Sequence, residues 1–354
     1  MTGMASAAAG TPLVFQREQG WICSKQWDLT LIIGSAILVP LPLIFALLAQ
    51  VTGWMTQQQA IDAINIAVAA LIGGPHLFST VTVTFLNGSF LKRRPLYAAC
   101  SLILPIIVVY LGVYHYASLI NFFFAWASLH VLHQIIYLSD CYRAQMPSPD
   151  PTWSRLIDYG LILTGLYPIG LYKMALGQFH VGGVILPYPD GLRGMYLPQL
   201  MGVIFAFFLL AWVWKTTQEA REGRMSTPKT MLLGVASLVS FCLPMGSNLD
   251  VLFQGYNTWH SFQYLFLLWV INRLRYQRGE IDNPLVLYLV RKQSMVPYYL
   301  SFLAATGVLV ILTLIVRALT PLSPDQSYFI VVLSILLMHY YFDHFLFTRT
   351  EWLR

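Results

Sequence analysis

Residues 298–317 read YYLSFLAATGVLVILTLIVR, nineteen positions without a charge before Arg317 closes the run. The hydrocarbon core of a bilayer is about 30 Å thick and takes roughly 20 apolar residues in a helix. The stretch therefore predicts a transmembrane helix. The same criterion marks nine more spans, at 29–51, 60–86, 96–117, 121–139, 156–176, 198–214, 231–247, 250–271 and 327–347. The expected fold is all-α: a polytopic membrane bundle of about ten transmembrane helices occupying 29–347. A lead-in (1–28) and a short tail (348–354) flank it, both cytoplasmic.

Composition agrees. Of the 354 residues 57% are hydrophobic and 10% charged, and mean hydropathy is +0.63; soluble domains carry about 25% charged residues. No polar connection is long enough to hold a soluble domain. The N-terminal segment has Arg17, Glu18, Lys25 and Asp28 but no short apolar region of the kind a cleaved signal peptide needs. The four cysteines form no CxxC pair, which excludes zinc-finger and thioredoxin-type motifs.

The formal net charge of +6 does not point to nucleic acid, because the basic residues lie in short runs between the apolar segments. With the N-terminus inside, 18 of the 21 Lys and Arg residues fall on the cytoplasmic side, leaving Lys173, Arg193 and Arg317 outside. Removing or adding one helix scrambles this asymmetry, so the positive-inside rule supports both number and orientation. The resulting localisation is multi-pass, in the inner membrane if the source is bacterial. The outer connection 177–197 is rich in Gly and Pro and reads as an ordered or re-entrant loop rather than another span. The inner connection 215–230 (KTTQEAREGRMSTPKT) reads as a solvated connector.

Five of the eight histidines lie inside spans: His76, His130, His133, His260 and His339. Intramembrane ionisable groups cost a few kcal/mol and usually face the bundle interior, at functional positions. Their four helices all run from outside to inside. The next basic residue follows after 16, 13, 10, 13 and 10 positions respectively, so at about 1.5 Å per residue all five share one layer near mid-membrane. That coincidence predicts one metal site. His130 and His133 share a helix face, Asn257, His260, Gln263 and Tyr264 form a polar stripe, and His339 and Asp343 are one turn apart. Tyr264 and Asp343 are the candidate catalytic side chains. In Gly73-Gly74-Pro75-His76 the proline kinks the helix, and Ser79, Thr80, Thr82 and Thr84 can satisfy the freed backbone groups. His115, His180 and His344 fall at the edges and read as structural.

Imidazole-rich sites suit iron, copper or zinc. A site reached from lipid points to an apolar substrate, and a non-haem iron centre can activate O₂ against a lipid or isoprenoid taken from the bilayer. Two alternatives stand beside this oxygenase. In one, histidine pairs clamp a haem b in a redox subunit. In the other, a transporter or structural subunit uses the histidines as a proton relay or as interhelical hydrogen-bond partners. The sequence leaves the oligomeric state open.

The Pro75-His76 pair on an early helix, with later helices each adding a histidine, resembles the Brp/Blh membrane β-carotene cleavage oxygenases. The resemblance implies an iron centre held by four intramembrane histidines, His76 among them, and cleavage of a carotenoid to retinal. The family's first motif continues with Gly and an acid where this chain has Leu77-Phe78-Ser79. Its His-Phe-Gly motif is replaced by His130-Val131-Leu132-His133.

Overall fold

The computed structural model describes residues 18–353, except 148–149, 182–183, 187, 189, 193–195 and 247. Residues 1–17 of the expected lead-in, with Arg193 and Arg354 of the charge count, lie outside the described residues. Twelve helices carry the fold: α1 (Lys25–Thr52), α2 (Gln57–Thr82), α3 (Pro95–Tyr114), α4 (Tyr116–Arg143), α5 (Thr152–Gly165), α6 (Tyr167–Ala175), α7 (Leu197–Arg221), α8 (Thr227–Met245), α9 (Leu249–Gln277), α10 (Pro284–Arg291), α11 (Val296–Leu319) and α12 (Pro324–Leu346). Among the described residues the strands are two dipeptides, His180–Val181 and Val184–Ile185, paired antiparallel inside the connection 177–197.

Eight of these helices are long and apolar enough to cross a membrane: α1 to α4, α7, α8, α11 and α12. The expected span 156–176 is instead two helices, broken between Gly165 and Tyr167 just ahead of Pro168, whose ring removes a backbone donor. The expected span 250–271 lies within α9, which has the length but carries Asp250, Gln254, Asn257, His260 and Gln263 along it. Large apolar side chains stand exposed on the long helices, among them Phe207 at 65% and Leu210 at 70%, a surface suited to lipid rather than water.

The chain divides into two compact units. The first takes residues 66–123 and 261–353. In it α12 packs on α3 and α11, and α11 packs on the later half of α2. Small residues permit these approaches: a Cβ on Gly74 would lie 2.3 Å from both Thr306 Cγ2 and Oγ1, and one on Gly112 2.3 Å from Ile330 Cγ1. Close backbone approach at small residues is how helices associate where lipid removes the hydrophobic drive. Leu77, Leu309 and Val331 form one buried apolar cluster here, and Phe90, Ala98 and Phe342 another.

The second unit takes residues 18–65 and 124–260. There α5 packs on α7 and α8, α6 on α7, and the first turns of α1 on α8. Asp28, fully buried, accepts the backbone N–H groups of Ile22 (2.7 Å) and Cys23 (3.1 Å), so the segment before α1 folds back on the helix start.

Candidate metal centre

Pro75 shapes the first group of candidate residues, all in the first unit. Without a backbone N–H at Pro75, α2 loosens into a π-turn over Ala69–Gly73, becomes α-helical at Gly74–Ser79 and tightens to a 3₁₀ turn over Thr80–Thr82. The hydroxyls following the kink act largely as expected. Ser79 Oγ donates to the His76 carbonyl (2.7 Å), Thr82 Oγ1 to that of Ser79 (2.7 Å) and Thr84 Oγ1 to that of Thr80 (2.9 Å). Thr80 does something else: its Oγ1 lies 2.6 Å from His339 Nδ1 and 2.7 Å from the Tyr264 hydroxyl.

His76 and His339 are both buried, and their ring centroids stand 4.4 Å apart with the planes at 84°. Ser261 Oγ is 2.6 Å from His76 Nδ1. The Tyr264 ring lies 4.6 Å from that of His76, and its hydroxyl donates to Asp343 Oδ1. Asp343 Oδ2 is 3.3 Å from His339 Nε2, one helical turn away. Each histidine thus has Nδ1 held by a hydroxyl, which sets the orientation of its ring. Tyr264 and Asp343, predicted as catalytic, sit in this same hydrogen-bonded chain.

The second group lies in the second unit. His130 on α4 and His260 on α9 are buried with ring centroids 4.9 Å apart at 78°. Gln134, one turn after His130, donates its Nε2 to the His260 carbonyl (3.1 Å), fixing α4 against α9 beside the rings. His133 belongs to neither pair. It is half-buried, because three residues along a helix turn it about 60° away from His130 and one turn further down the axis. His115 and His344 are exposed.

One constellation was not legible as a site. The stretch 215–230, expected to be a solvated connector, instead continues α7 to Arg221 and buries Lys215, Glu219, Ser226 and Lys229. Lys215 pairs with Asp158, itself fully buried, and approaches Glu219 (3.8 Å). Arg143 reaches Asp158 (2.7 Å), Asp150 (3.0 Å) and Asp140, while Lys229 holds Asp150 (2.6 Å) and Arg155 holds Asp140 (2.6 Å). Four cations and four carboxylates close a neutral cage joining α4, α5, α7 and α8. Burial raises the Asp150 carboxyl, but Lys229 and Arg143 outweigh it and hold the group below its ordinary range. Basic residues at helix ends look like orientation signals in a sequence. Only the packing shows that these turn inward.

No family model, curated protein or solved structure matches the chain.

Proposed function

We propose that His76, His130, His260 and His339 together hold one metal ion, and that the protein is a membrane oxygenase whose non-haem iron acts on a lipid or isoprenoid. The observation that carries this is the donor set. Two buried pairs supply it, His76 with His339 in the first unit and His130 with His260 in the second, their ring centroids 4.4 and 4.9 Å apart. Four neutral imidazoles suit iron, copper or zinc and leave positions open for other ligands. Tyr264 and Asp343, with Thr80 between Tyr264 and His339, would hold a proton beside the centre and fix its ligand orientation. Bound iron would supply O₂ activation. The likeness of Pro75-His76 to the Brp/Blh oxygenases makes a carotenoid-type chain the substrate class to try first.

A haem b fits less well. Axial imidazoles face each other through the macrocycle, and the edge-to-face packing at 4.4 and 4.9 Å leaves no slot for one within either pair. The bundle is proposed to cross the membrane ten times, with α5–α6 and α9 as the two crossings that lack full apolarity, and with both termini cytoplasmic.

Metal analysis of protein purified in detergent tests the centre. Stoichiometric iron without a Soret band is expected, falling to background in His130→Ala and His260→Ala. Full metal content in both variants would remove the proposal, and a Soret band would replace it with the haem reading.

A further inference from the structure

Between the long helices α9 and α11 of the first unit, the chain forms one short helix, α10, with the sequence PLVLYLVR. At about 1.5 Å per residue it is roughly 12 Å long, too short to cross a bilayer. Helices of that length are marginal unless packing holds them. Both ends and one face of α10 are held. At its start the Asn283 side chain accepts the N–H groups of Leu285 (3.0 Å) and Val286 (3.3 Å), and Pro284 fills the first helical position, where no donor is needed. At its end Arg273, fully buried in α9, donates to the carbonyls of Val290 (2.5 Å) and Arg291 (3.3 Å). Val286, Leu289 and Val290, spaced three and four apart, are buried against the rest of the unit.

The opposite face is not the polar one that a helix turned to water carries. Leu285 and Tyr288, three residues apart and therefore neighbours, stand 52% and 53% exposed. Arg291, three further on, lies 4.9 Å over the Tyr288 ring, and Lys292 follows it, both exposed. A single exposed leucine needs no explanation. A leucine, a tyrosine and two cations ordered along one side of a fixed helix are the composition of the membrane interface, where aromatic rings sit at headgroup level and basic side chains reach the phosphates. The surroundings agree. α10 packs on α11, a span-length helix whose first turns expose Val296 and Leu300, so the apolar exposure continues past the end of α10. The expected charge asymmetry puts α10 on the cytoplasmic side, which faces the anionic leaflet.

We propose that the outer face of α10 docks on an anionic lipid surface, with Leu285 and the Tyr288 ring entering the headgroup layer and Arg291 and Lys292 meeting the phosphates of acidic phospholipids. This docking requires a membrane-embedded chain but no metal. The test uses the full chain with Cys100 and Cys242 replaced by Ser, Cys23 and Cys141 being buried. Nitroxide labels are placed singly through Leu285→Cys, Tyr288→Cys, Val308→Cys in α11 and Glu222→Cys after α7, in phosphatidylcholine vesicles with and without phosphatidylglycerol. Collision with O₂, which concentrates in the bilayer, against collision with a water-soluble nickel chelate reports depth. Labels at 285 and 288 are expected to be shielded from the chelate several-fold better than the label at 222, and phosphatidylglycerol should deepen them. That lipid effect should vanish in Arg291→Gln/Lys292→Gln, because two cations near an anionic surface are worth roughly a tenfold or greater change in equilibrium. High salt on the parent protein should weaken it in the same way. Labels at 285 and 288 as open to the chelate as that at 222, with the label at 308 shielded, overturn the docking and leave the membrane reading standing; a label at 308 open to the chelate removes both. Depth that ignores phosphatidylglycerol, or a lipid effect that survives the double variant, also overturns it. Should the double variant not fold, the salt dependence of the parent decides, and a lipid effect indifferent to salt overturns the docking.

Discussion

Thr80 shows how much one side chain settles. Its neighbours spend their hydroxyls on backbone carbonyls, whereas Thr80 spans His339 and Tyr264. If the histidines hold metal, Thr80→Val frees the His339 ring to rotate and lowers metal affinity about 10–100-fold, the usual effect of losing a ligand's orienting partner; competition with a chelator measures it. Asp158 carries a different burden, being fully buried among Lys215, Arg143 and Lys229. Asp158→Asn is expected to cost about 3–5 kcal/mol in chemical unfolding, because it strands buried cations. Adding Lys215→Leu should recover part of that loss, and a double variant as unstable as the sum of the singles would show that the pair is not coupled. Asp150 sets a pH dependence. Its folded-state pKa lies below the ordinary carboxylate value, so its stabilisation is complete above about pH 4, the unfolded value, and disappears as pH falls through the folded one. Acid unfolding of Asp150→Asn should lack that step. Of the five histidines that sequence depth grouped, His76, His130, His260 and His339 are buried and His133 is half-buried. Depth alone says nothing about azimuth, and a three-residue step turns a side chain about 60° around the helix.

Helix positions were readable from the length of the apolar runs: each of the ten sequence spans falls on a helix or a helix pair, although α7 and α9 run beyond theirs to Arg221 and Gln277. What was hidden is how closely the helices approach. A Cβ on Gly255 would lie 2.1 Å from the Val39 carbonyl oxygen, where α9 crosses α1 with nothing flexible between them. Gly255→Ala must push backbone away and should lower stability by about 1–3 kcal/mol. Gly202 in α7 has nothing within 4 Å of the same built atom, so Gly202→Ala should be neutral or stabilising by up to about 1 kcal/mol. Thermal scans of the two variants side by side test the contrast. Equal losses would mean that helix propensity, not crossing distance, controls both positions. The π-turn before Pro75 was likewise unreadable, since a missing donor predicts a kink but not which neighbouring turn absorbs it.

Across the whole molecule, the charge asymmetry expects both termini and the α2–α3 connection inside and Lys173 outside. Single cysteines introduced at Lys92 and Lys173 in intact cells should react oppositely with a membrane-impermeant maleimide. Reaction at both positions would break the ten-crossing topology. The charge cage has a further consequence, for the order in which the protein is made. Its members leave the ribosome over nearly ninety residues, with Asp140 and Arg143 first and Lys229 last. Until α8 arrives, Asp150 and Asp158 lack one of their cations, so in a membrane-inserted chain α5 and α7 are predicted to settle only after it. Nascent chains halted just before Lys229 should therefore remain crosslinkable to the insertion machinery, and their release would show that the last cation of the cage is not needed for insertion.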